Sequence, residues 1–93
     1  MRVAVLKLDL YLPGINSLKE KRKLLQSLMD KIDNDFNVAI SEVENQDLWQ
    51  RSVVAAVSVS NESSQLESMF AAITNRVDKT HGIELIEREV RFY

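Results

Sequence analysis

Cysteine is absent from this 93-residue chain. That excludes a disulfide framework, a thiol nucleophile and any cysteine-ligated zinc. Histidine occurs once, so a histidine-rich metal site is excluded as well. Proline occurs once and glycine twice. With no Pro-, Gly- or Ser-rich stretch there is no linker, and residues 1–93 are expected to form a single domain. No run approaches the roughly 18 consecutive apolar residues that a membrane span needs. The N-terminal stretch MRVAVLKLDLYLPG has Lys7 and Asp9 inside its apolar run, which argues against a secretory signal. A cytoplasmic protein with no membrane association is therefore expected. An excess of positive charge is also missing. Twelve Lys and Arg stand against 14 Asp and Glu, a formal net charge of −2. A protein that coats nucleic acid by bulk charge is excluded, and any anion recognition must come from a local patch.

What is present is strong periodicity. Residues 2–12 alternate, with Ala4, Leu6, Leu8 and Leu10 on one face and Val3, Val5, Lys7, Asp9 and Tyr11 on the other, the pattern of a half-buried strand. Pro13-Gly14 ends it. Ser17 fits a helix N-cap and Glu20 completes a capping box, predicting a helix to about Asp35. Its apolar stripe is Leu18, Leu25, Leu28, Met29, Ile32 and Phe36. FNVAISEVEN (36–45) and QRSVVAAVSVS (50–60) read as strands. In the latter Val53, Ala55, Val57 and Val59 are expected to face inward, with Ser52, Val54, Ala56 and Ser58 opposite. Asn61 or Ser60 is expected to cap a second helix with Glu62 in its first turn, and Leu66, Met69, Phe70, Ile73 and Val77 form its stripe. Gly82 is placed to end that helix in a left-handed conformation. IELIEREVRF (83–92) closes the chain as a strand.

Strand, helix, strand, strand, helix, strand is the split βαβ order of an α+β, ferredoxin-like βαββαβ fold. It predicts a four-stranded antiparallel sheet with two helices on one face and with the first and third strands central. The other sheet face would stay open, with Val5, Tyr11, Val54 and Ala56 making an apolar patch of the kind that marks association.

Two stretches together, SLKEKRKLLQSLMDKI and FNVAISEVENQDLWQRSVVAAVSVSN, closely resemble the YlxP-like family of small uncharacterised bacterial proteins, and the likeness runs over essentially the whole chain. The resemblance implies the same ferredoxin-like fold. It implies no activity, because the family is of unknown function. Genes of the family often lie beside those of translation-initiation and ribosome-maturation factors, which points toward RNA or the ribosome.

Two constellations are candidates for function. Between residues 16 and 31, Lys19, Lys21, Arg22, Lys23 and Lys31 face only Glu20 and Asp30, a local net of +3 in an acidic chain. Ser17, Lys19, Lys21, Arg22 and Lys23 at a helix start would suit a phosphate. The bland alternative is a solvated helix face whose lysine stems lie over apolar neighbours. In ENQDLWQR (44–51), Trp49 and Arg51 offer a stacking plane and a phosphate or base contact. The bland alternative there is a tryptophan packed on the core edge. The third strand, SVVAAVSVS, carries no aromatic, so base stacking on the open sheet is not expected. No nucleophile–histidine set assembles, since His81 sits beside Gly82 at an expected helix end. The loop LPGINS lacks the arginine and glycines of an acylphosphatase cradle.

The expected protein is thus a non-enzymatic binding domain with no metal and no cofactor. Its expected partner is RNA or a ribosomal subunit, met through the basic first helix. The alternative is a homo-oligomeric interaction module, most simply a dimer, acting through the open sheet face.

Overall fold

Alternation in the first residues produces β1, Arg2–Tyr11, whose Ala4, Leu6, Leu8 and Leu10 are fully buried. The computed structural model describes all residues from Met1 to Tyr93. The remaining elements are α1 (Leu18–Asp35), β2 (Ala39–Glu44), β3 (Arg51–Ser60), α2 (Ser63–Asp78) and β4 (Glu84–Phe92). The strands form one antiparallel sheet in the order β2-β3-β1-β4, so β1 and β3 are central. This is the expected ferredoxin-like βαββαβ arrangement. β1 and β3 pair over their whole length, from Arg2 opposite Ser60 to Tyr11 opposite Arg51. Ten residues at a strand rise of about 3.4 Å run most of the molecule's 42 Å long dimension.

Both helices lie on one sheet face. α1 contributes Leu25, Leu28 and Ile32, and α2 contributes Leu66, Phe70, Ile73 and Val77, to a core completed by β1, Val54 and Ala56. The start of α1 is set locally. Ser17 Oγ accepts from Glu20 N at 3.1 Å, and the Glu20 carboxylate accepts from Asn16 N at 3.0 Å. A carboxylate therefore already occupies the positive end of this helix dipole. α2 begins one or two residues later than the sequence suggests, with Glu62 as its cap residue rather than Asn61 or Ser60. Ser60 supports that turn by accepting from Glu62 N and donating to Gln65. Gly82 does adopt a left-handed φ of +88°, but in the loop after α2 rather than at its end.

The expected facing of β3 is reversed. Ser52, Val54, Ala56 and Ser58 point into the core, while Ala55, Val57 and Val59 line the open face. Val54 is 1% and Ala56 2% exposed, so neither belongs to an open-face patch as expected. The serines made this facing look wrong, yet both inward hydroxyls are satisfied. Ser58 Oγ donates to Asn37 O at 2.7 Å and Ser52 Oγ to Glu42 Oε2 at 2.6 Å. With valines and alanines on both faces, apolar patterning could not choose the register; two polar partners on the core side allow it. Of the four residues expected on the open face, Val5 and Tyr11 do lie there, half-buried.

Candidate functional site

The inward stripe of α1 begins at a lysine. Lys21 precedes Leu25, Leu28 and Ile32 at spacings of four, three and four, and is only 1% exposed. An isolated ammonium in such a place would be prohibitively costly, so its donors must be paired. Its Nζ donates to Asn45 O at 2.6 Å, to Leu48 O, and to Glu42 Oε2 at 2.9 Å. All three ammonium protons are used. Glu42 in turn accepts from Ser52. The expected role of Lys21 as a phosphate contact is therefore corrected: it is a buried strut.

That strut fixes the β2–β3 loop, residues 45–50. Asn45 takes a left-handed φ of 63°, which asparagine tolerates better than most residues. Leu48 N closes a turn on Asn45 O at 3.1 Å. A second tie comes from Gln50, whose side-chain amide donates to Pro13 O and Ile15 O at 3.3 and 3.0 Å. Leu12 N donates to Gln50 O at 2.9 Å. The loop is thereby clamped to the start of α1 and to the β1–α1 connection. At its tip Leu48 and Trp49 are about half exposed, at 50% and 52%. Trp49 does not pack on the core edge; it is held out by a rigid base.

Beside this loop, Lys19, Arg22 and Lys23 are exposed, and none makes an ion pair. Of the first-turn amides next to them, Glu20 N is engaged by Ser17 Oγ, and the Glu20 carboxylate accepts from Asn16 N just before the helix. With that carboxylate at the helix start, what this end offers an anion is chiefly side-chain charge.

Arg51 is not brought to this surface. It lies on the open sheet face, opposite the helices, where its Nη2 donates to both Asp9 carboxylate oxygens at 3.1 and 3.0 Å. Lys7 and Glu44 pair across the same face at 2.7 Å, and the Glu44 carboxylate raises the Lys7 pKa. Glu89 raises that of Arg91 in the same way. The open face thus carries paired charges at one end and exposed Val57 and Val59 toward the other. No group of three or more His, Cys, Asp or Glu side chains is arranged to hold a metal ion. No helix is long and apolar enough to cross a membrane.

A sheet with helices on one side, and a polar loop strapped to a helix by a buried lysine, defines a small ferredoxin-like domain. The chain belongs to the DUF503 family of proteins of unknown function, whose sequence model matches residues 3–90. It is 38% identical over 68 residues to the uncharacterized protein YlxP of Bacillus subtilis (strain 168), covering 73% of this chain and 74% of the relative. The YlxP-like resemblance is thus established. Among solved structures, the de novo designed protein Foldit4 is similar with a TM-score of 0.53 at 15% identity, covering 100% of this chain and 97% of its own. SnoaB, a cofactor-independent oxygenase from Streptomyces nogalater, is similar with a TM-score of 0.53 at 10% identity, covering 99% and 90% respectively. At these identities the likeness shows the fold alone.

Proposed function

We propose that this protein is a cytoplasmic, non-enzymatic RNA-binding domain that acts on free RNA or a ribosomal subunit. The surface is the outer side of the α1 start together with the β2–β3 loop. Lys19, Arg22 and Lys23 supply phosphate contacts, and Trp49 supplies a stacking plane. One observation carries the reading. A half-exposed tryptophan is clamped by buried Lys21 to the same helix whose outward cations make no ion pair. A loop backbone fixed in advance loses less entropy when its aromatic stacks, and cations without partners need break no ion pair to meet a phosphate. Ser17 is a cap in this reading, and Arg51, paired with Asp9 on the opposite sheet face, takes no part. Pull-down from bacterial lysate with and without nuclease tests it: capture of ribosomal RNA that nuclease abolishes supports the reading, and no RNA in the captured material overturns it.

A second reading rests on a different observation. Val57 and Val59 are exposed on the open sheet face, with half-buried Val3 and Val5 opposite them on β1. Adjacent apolar side chains on an open sheet favour association of two copies of this chain. This interface differs from the one expected from sequence, because Val57 replaces Val54 and Ala56. The two readings use opposite faces and do not compete.

A further inference from the structure

The two helices do not close over one another along their outer edges. A groove runs between the middle of α1 and the end of α2 with the loop that follows it, about 390 Å³ in volume, floored by Leu24 and Leu28. It continues past Ser27 and His81 into a second depression of about 560 Å³ that reaches Lys23 and Gly14. Leu24, Ser27 and His81 line both, so the two form one channel.

Its charge is one-sided. Lys31 and Lys79 line one half, Lys23 the other, and the only histidine of the chain stands where the halves meet. None of these three lysines makes an ion pair. Arg76 also lines the channel but is held by Asp35 at 2.6 Å, over the Phe36 ring. The single lining carboxylate, Glu20, lies at the far mouth and accepts from Asn16 N. In a chain of net charge −2, a groove with three unpaired lysines and one carboxylate is a marked segregation. The 79–82 loop is tied to the end of α2: Thr80 N donates to Val77 O at 3.0 Å and Thr80 Oγ1 to Arg76 O at 2.8 Å, and Gly82 takes the turn at φ +88°.

We infer that this interhelical groove is a track for the phosphates of a single RNA strand, entered at the basic start of α1. The inference rests on the RNA-binding reading and extends it from a patch to a path. Lys23 and Lys31 are eight residues apart, about 12 Å along the helix axis, too far to grip one small anion together and more than one phosphate step along a strand. Lys79 faces the same segment from just beyond the end of α2, and the apolar floor accommodates sugar edges. The groove is contiguous with Lys23, one of the three cations already assigned to the α1 surface.

The test is binding of a fluorescent uridine 20-mer, and of purified ribosomal subunits, from 50 to 200 mM salt. Four proteins are compared: the parent, the α1-start variant K19E/R22E, the groove variant K31E/K79E, and the sheet-face control K7E/R91E. The two double reversals K31E/K79E and K7E/R91E change net charge equally, and all four are checked for an unchanged fold by thermal melting. Losing two single-strand phosphate contacts should flatten the slope of log K against log salt by about 1.4. The groove variant is expected to show this loss and the sheet control to keep the parent slope. Inorganic phosphate is expected to compete only through its ionic strength. Equal slopes for the groove variant and the control overturn the track. Competition by inorganic phosphate at constant ionic strength replaces it with a small-anion site. If the parent binds and K19E/R22E alone loses affinity, the patch stands and the track falls. A parent with no salt-dependent binding to either probe removes both.

Discussion

Lys21 Nζ lies 2.9 Å from Glu42 Oε2, joining the first turn of α1 to edge strand β2 through a side chain that is almost fully buried. The same nitrogen holds two carbonyls of the β2–β3 loop, and with the Gln50 ties it fixes the backbone that carries Trp49 relative to the helix. Its charge serves architecture, whereas its sequence neighbours Lys19, Arg22 and Lys23 face solvent.

Removing that charge should be severe. Lys21→Met leaves Glu42 without its cation, Leu48 O without a donor and Asn45 O with Leu48 N alone, and breaking one half of a buried pair typically costs about 3–5 kcal/mol. For a domain of this size that is a fall in Tm of roughly 15 °C or more. Adding Glu42→Gln should recover part of the loss. Urea unfolding of the two single variants and the double variant measures the coupling. A Lys21→Met protein as stable as the parent would contradict the strut.

The reversed facing of β3 gives a paired prediction. Val54→Arg places a charge in the core and should prevent folding or leave an expanded state. Val57→Arg on the adjacent face should fold with a Tm close to the parent's. If the open face joins two copies, Val57→Arg also lowers the mass in solution to that of a monomer. Light scattering reads the mass and circular dichroism the fold. A Val54→Arg protein with native stability would refute the placement of that strand.

Trp49 separates stability from binding. Because it is half exposed and rests on a loop anchored elsewhere, Trp49→Ala should change unfolding free energy by no more than about 0.5 kcal/mol. Its loss should weaken single-stranded RNA binding roughly tenfold, within the range for one stacked base. In the parent, RNA should quench the fluorescence of this only tryptophan. An unquenched Trp49 in saturated complex would exclude stacking.

On the open face, Glu44→Gln should bring the Lys7 pKa down toward its ordinary value, readable by NMR titration of the lysine side chain. The sign for stability follows from the direction. A lysine whose folded pKa is raised contributes stability below its unfolded pKa and loses it as pH rises through the folded one. Lys7 is exposed, so the contribution is small and fades with salt. A Lys7 titration unchanged by Glu44→Gln would show that the pair does not persist in solution.

Most of the architecture was legible in the sequence because two periods are cleanly written. Alternation in β1 and the 3–4 spacing in α2 each name their buried face, and the Ser17–Glu20 box names a helix start. The facing of β3 was not legible, since Val53 to Val59 offers apolar side chains on both sides. The deciding partners, Asn37 O and Glu42, come from other segments. Lys21 was misplaced for a related reason. Reading it among Lys19, Arg22 and Lys23 obscured its register with Leu25, Leu28 and Ile32, and the gap between Leu18 and Leu25 in the stripe was the clue. Of the expected site residues, Lys19, Arg22, Lys23 and Trp49 share one end of the molecule. Arg51 is carried to the opposite sheet face by strand alternation, which is invisible until the register is known.

The central claim is that exposed cations of α1 contact RNA phosphate. The most direct measurement is the salt dependence of ribosomal-subunit and uridine 20-mer binding for the parent and for K19E/R22E/K23E, which spares buried Lys21. The account predicts a parent affinity that falls steeply between 50 and 200 mM salt. It also predicts a variant with an unchanged melting temperature whose slope of log K against log salt is flatter by about 2, from three lost contacts. A variant that matches the parent in affinity and slope at every salt concentration would contradict it.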